Sequence, residues 1–150
     1  MKNYIAGLFL AFTFTTVSAA DLPKNIIPTA VSYNPEVSLV FNFNSDFPNS
    51  ESIKWRKSDK DVVVEFFNTE NQKSFAVYKD GKLYETYYGI SVNDIPTISM
   101  SHLNTKFPKN KIQNAYIIKQ ANAEDKILVE LKGTDDVIYS KEGYLLRYIQ

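Results

Sequence analysis

The sequence predicts an α+β protein. Two tandem units, each one helix plus four antiparallel strands, form one sheet with the helices packed on one face. Three observations predict it. An apolar triplet at helical spacing recurs 60 residues later, each copy running into a proline. Short segments of alternating apolar and polar residues follow each triplet. A glycine turn closes the last hairpin of each unit, at Asp80-Gly81 and again at Glu142-Gly143.

The triplets are Val40, Phe43 and Phe47 before Pro48, and Met100, Leu103 and Phe107 before Pro108. Spacings of three and four put three side chains on one stripe of a helix. The proline ends each helix, because it lacks an N–H and disfavours α geometry in the residue before it. Asn34-Pro35 reads as an N-cap with proline at the first helical position, and Asn93 or Asp94 as the cap of the second helix.

Strands follow. Ile53 and Trp55 alternate with Lys54 and Arg56. Residues 61 to 67 place Val62, Val64 and Phe66 on one face, and Val63, Glu65 and Phe67 on the other. Residues 74–79 and 83–88 flank Asp80-Gly81, a strong two-residue hairpin signal. The second unit offers 113–119, 126–132, 137–140 and 144–148. The boundaries are 35–91 for the first repeat and 92–150 for the second, with 21–34 an extended lead-in carrying Pro23 and Pro28 but no periodicity.

Residues 1–20 read as a secretory signal. Lys2 begins it, an apolar run spans Ile5 to Val17, and Ser18-Ala19-Ala20 supplies small residues for cleavage near Ala19-Ala20. The run is too short, and lacks a basic stop-transfer cluster, for stable membrane insertion. Removing it leaves 16 basic against 17 acidic groups.

That balance supplies no basic groove for nucleic acid. With no Cys there are no disulfides, thiol nucleophiles or Cys-based zinc sites. The single His, His102, falls opposite the second apolar triplet, as a solvated or rim residue of the helix. No Gly-rich phosphate loop or nucleophile elbow is present. Asp59/Asp61, Glu124/Asp125 and Asp135/Asp136 fall in predicted loops, as turn-forming, solubilising acids without the spacing of a Ca²⁺ site. The expectation is a non-enzymatic chain without catalytic, cofactor-binding or metal-binding residues.

The aromatics point to binding. Tyr residues cluster in the hairpin strands of both units, and Tyr gives large contact area at low entropic cost. The same residues also stabilise sheets by cross-strand packing. Candidate partner-binding residues on an open sheet face are Trp55, Tyr84, Tyr88, Tyr144 and Tyr148, supported by Lys54 and Arg56. Trp55 equally fits an anchor between helix and sheet.

The order of motifs resembles an exported PepSY-like family whose members are similar to β-lactamase inhibitor protein. The signal is followed by Phe47-Pro48, Ile53-Lys54-Trp55, Val64-Glu65-Phe66, Tyr78-Lys79-Asp80-Gly81-Lys82-Leu83, Asp94-Ile95-Pro96 and Phe107-Pro108. The resemblance covers roughly residues 35–148. It implies a tandem helix-plus-sheet fold, residence in the periplasm or outside the cell, and non-enzymatic binding of a protein or peptide, a β-lactamase-like enzyme or a peptidase among relatives. It implies no metal or cofactor. The family's inhibitor carries disulfides, whereas this chain has no Cys. A small apolar-ligand carrier and a structural envelope module are the other readings of the same chain.

Overall fold

The computed structural model describes residues 31–58 and 61–150. The expected signal segment, residues 21–30 of the lead-in and Asp59 lie outside the described residues.

Nine strands form one antiparallel sheet in which spatial order follows chain order. Val31–Ser32 (β1) is followed by a helix, Val37–Asp46 (α1). Then come Glu51–Ser58 (β2), Asp61–Phe67 (β3), Lys73–Lys79 (β4) and Lys82–Ile90 (β5). A 3₁₀ turn at Val92–Asp94 leads into Thr97–Lys106 (α2). The chain ends with Ile112–Gln120 (β6), Lys126–Leu131 (β7), Asp136–Ser140 (β8) and Leu145–Ile149 (β9).

Both helices end as the sequence reads. The Phe47 N–H donates to the Phe43 carbonyl and the Phe107 N–H to the Leu103 carbonyl, each at 2.8 Å, just before the prolines. Their starts differ. Glu36 precedes α1 without a side-chain cap, so Pro35 is not its first residue. Ser91, rather than Asn93 or Asp94, supplies a capping oxygen, and it caps the 3₁₀ turn by accepting from the Asn93 N–H. The lead-in also contributes a short edge strand, because β1 pairs with Arg56 and Lys57. Two residues are too few to carry a period. Asp136, expected in a loop, opens β8 and is buried, its carboxylate accepting from the Leu131 N–H at 3.2 Å.

Register assigns every side chain to a face. Trp55, Val64, Ala76 and Thr86 lie across from one another on the helix-covered face. Leu39 and Phe43 of α1 pack there on Val62, Val64, Phe66, Ala76 and Tyr78. Leu103 of α2 packs on Ile90, Ala115, Ile127, Val129 and Val137 of the same face.

The opposite face was expected to be open and is not. Val63, Phe75, Val77, Tyr87, Tyr116, Ile118, Leu128 and Ile138 form a buried cluster on it, and Ile149 packs against them. Neither helix takes part in this cluster, so side chains from β3 to β9 exclude water by packing on one another, as a coiled sheet permits. Long unbroken apolar strands such as Val62-Val63-Val64 follow from burial on both faces.

Gly89 near the end of β5 lies tight against the start of β4. Its N–H donates to Ser74 Oγ at 2.9 Å and its carbonyl accepts from Asn68 Nδ2 at 3.0 Å. A Cβ at this position would collide with the Lys73 carbonyl oxygen. Gly89→Ala is expected to destabilise the protein by about 1–3 kcal/mol. A denaturant midpoint equal to that of the unsubstituted chain would contradict this packing.

Candidate functional site

The two helices leave the middle of their own face uncovered. α1 lies over β2–β4 and α2 over β5–β9. Beside the end of α1, over β5 and the end of β6, runs a groove of ≈ 530 Å³. Its walls include Phe47, Tyr84, Thr86 and Tyr88, with Asp46 and Lys119 placing opposite charges along it.

Each wall residue is held from below. Phe47 leaves α1 onto Phe43 and Phe66, with ring centroids at 5.3 and 4.9 Å. Asp46 accepts a 2.9 Å hydrogen bond from the Tyr78 hydroxyl. Thr86 and Tyr88 face the groove by strand alternation, opposite Lys119 and Ile117 of β6. Tyr84 is the extra residue of a bulge, between the pairs Val77–Glu85 and Tyr78–Leu83. The Lys79 ammonium sits 3.6 Å from the centre of its ring, a cation–π contact. The groove therefore combines aromatic walls with charged and polar side chains.

The seven sequence-expected contact residues do not share one surface. Tyr84 and Tyr88 meet in the groove. Trp55 is half-buried on the helix-covered face, edge-on to Phe43 at 5.4 Å, so it anchors α1 to the sheet. Tyr144 is exposed in the β8–β9 turn, and Tyr148 lies beside α2 on the last strand, on the helix-covered face. Lys54 and Arg56 stand on the opposite face, paired with Glu65 and Val63.

Arg56 is a correction to the open-face expectation, since it is 5 % exposed. Its guanidinium lies 3.1 Å from Glu65, a carboxylate 2 % exposed, which Lys54 also reaches at 3.2 Å and Lys73 at 3.9 Å. Alternation around Trp55 suggested a wet face because only strand position, not the carboxylate across the sheet, is visible in β2. His102 is half-buried, with Nδ1 2.8 Å from the Tyr139 hydroxyl and Nε2 3.2 Å from the Tyr148 hydroxyl. Its ring also meets Phe107 edge-on at 6.4 Å. Of the two expectations, solvated or rim, the half-buried ring fits the rim, where it belongs to an aromatic seam joining α2 to β8 and β9.

Among the described residues no group of three or more His, Asp or Glu is placed to hold a metal ion, and no helix is long and apolar enough to cross a membrane.

No protein-family model and no curated protein matches the chain in sequence. Solved structures do match its fold. A presumed periplasmic protein from Bacteroides eggerthii superposes with a TM-score of 0.66 at 14 % identity, over 77 % of this chain and 88 % of that one. A BLIP-like protein from Bacteroides fragilis gives 0.63 at 16 % identity, over 77 % and 86 %. A DUF2874 family protein from Bacteroides ovatus gives 0.64 at 12 % identity, over 77 % and 87 %. The chain has the fold of a BLIP-like protein: a large antiparallel sheet with two helices on one side.

Glu65→Ala is expected to cost about 3–5 kcal/mol, because it leaves the buried Arg56 charge unpaired. A chemical denaturation curve within error of wild type would show that the cluster is dispensable. Burial also raises the pKa values of four tyrosines well above the ordinary phenol value of about 10. For Tyr78 the bond to Asp46 adds to burial, for Tyr87 the charge of Glu85, for Tyr116 that of Glu130 and for Tyr139 that of Tyr148. Each phenol ionises more readily when unfolded, so its contribution is full below pH ~10 and is lost as pH rises beyond it. Phenolate absorbance followed against pH should show exposed tyrosines titrating first and these four ionising together with loss of the fold. One smooth titration of all tyrosines near the ordinary value, with the fold intact, would contradict the buried assignments.

Proposed function

We propose that this chain is an exported, non-enzymatic binding protein that takes a protein or peptide partner in the periplasm or outside the cell. The groove beside the end of α1 carries the reading, since it presents Phe47, Tyr84 and Tyr88 as aromatic walls together with Asp46 and Lys119. Export rests on the signal-like residues 1–20, with cleavage near Ala19-Ala20, and agrees with the presumed periplasmic location of the structure from B. eggerthii. The single His, held by two tyrosine hydroxyls, offers no free ring nitrogen to a reaction.

The two halves are copies of one helix-plus-four-strand unit in this reading. The 60-residue displacement of Phe47-Pro48 to Phe107-Pro108 supports it, as do the matching ends of α1 and α2. Descent from a PepSY-like exported family accounts for the same motifs. The BLIP-like neighbour makes an enzyme or peptidase inhibitor a natural form of the activity.

Of the seven residues first considered, Tyr84 and Tyr88 remain the contacts within the groove. Lys54, Tyr144 and Tyr148 serve as outlying contacts on other surfaces, while Trp55 and Arg56 act by holding the fold. A groove of this size also suits a small apolar ligand.

The test is a pull-down from envelope and culture fractions with the tagged chain, beside a Tyr84→Ala/Tyr88→Ala variant of matched melting temperature. A stoichiometric protein or peptide retained by wild type and weakened at least tenfold in the variant, roughly 1.4 kcal/mol, is the expected result. Retention equal in both proteins would move binding off the groove. A co-purified apolar molecule, seen by native mass spectrometry and lost in the variant, would replace the protein partner with a carried ligand.

A further inference from the structure

The two edges of the sheet are built differently. β1 is two residues long, whereas β9 runs from Leu145 to Ile149 with β8 as its sole neighbour among the described residues. The outward N–H and C=O groups of β9 therefore face no strand there. Natural sheets guard such an edge with Lys, Pro or inward charges. β9 has instead Leu145, Leu146 and Tyr148 exposed at 42, 51 and 41 %, with Arg147 its one charge. Tyr144, 61 % exposed, and Ile98, 49 % exposed, extend the apolar surface around the turn and onto α2.

We propose that a second copy of this chain adds its β9 to this edge, antiparallel, about a two-fold axis through Tyr148. Three observations select a second copy. A formal net charge of zero brings no net repulsion between identical chains. Under a two-fold through Tyr148 that exposed ring meets its own copy, the self-contact that a closed symmetric interface requires. A head-to-tail chain of copies would have to use the other edge, where β1 is two residues long among the described residues and offers little backbone to pair.

The register follows from the same strand. Centring on Arg147 would set two guanidiniums opposite each other, an unfavourable like-charge pair. The bulge between the pairs Ile138–Arg147 and Tyr139–Leu145 leaves Arg147–Ile149 as the regular run. Centring on Tyr148 places the two Tyr148 rings across from each other on the helix-covered face, and Arg147 against Ile149 on the other. The hydrogen bond from Tyr148 to His102 fixes the ring before the partner arrives. The product is one continuous sheet of two copies.

Sedimentation equilibrium of the full chain across a concentration series tests the proposal. The expected result is a reversible doubling of mass, with the dissociation constant raised at least tenfold by Leu146→Lys at unchanged melting temperature. Because the chain has no cysteine, Tyr148→Cys supplies a single thiol at the axis. It should form a disulfide-linked dimer under mild oxidation, while Phe41→Cys, on exposed α1 at the other end of the sheet, should not. A monomer at every concentration overturns the proposal. So does a dimer indifferent to Leu146→Lys, equal cross-linking at both positions, or capture of a different protein's strand by β9 without self-association.

Discussion

Everything in this molecule follows from having to bury both faces of one nine-stranded sheet with two ten-residue helices. Among the described residues the helices are too few to cover even their own side, and neither packs into the cluster on the other. The chain meets the shortage by coiling the sheet, so that aromatic and branched side chains on the uncovered face protect each other. The groove is the remainder on the helical side, a strip of β5 and β6 bordered by the end of α1. Its position is thus set by helix length and spacing before any ligand is considered.

The same constraint explains the charged cluster. A carboxylate buried on β3 needs cations beside it, and β2 and β4 deliver Arg56, Lys54 and Lys73. Cross-strand neighbours supply them, so the ion cluster fastens the first three long strands at the point where apolar packing gives way to solvent.

Sequence periodicity carried the helices, eight of the nine strands and the hairpin at Asp80-Gly81, whose two positive φ values match the expected turn. It carried them because each depends on near neighbours in the chain. What it missed depends on distant ones. Arg56 looked solvent-facing because Glu65 is nine residues away on the next strand, and the ring partners of His102 were hidden because Tyr139 and Tyr148 arrive from the end of the chain. The candidate site was half legible: Tyr84 and Tyr88 stood out as hairpin tyrosines, but Asp46 and Phe47 join them only through the placement of α1, and Lys119 only through the pairing of β5 with β6. The runs Val62-Val63-Val64 and Tyr87-Tyr88 already signalled strands buried on both sides, a signal that alternation alone does not weigh.

The unbroken order of the sheet, each strand beside its predecessor, bears on how the chain reaches this state. Most strands pair with the segment just before them, so the entropy of closing long loops enters only twice, where α1 separates β1 from β2 and where α2 separates β5 from β6. Low contact order of this kind favours rapid assembly by successive hairpins. A chain without thiols adds no oxidative step. Its first sheet half can thus be in place while later residues are still arriving, whichever end of synthesis or transport limits the rate.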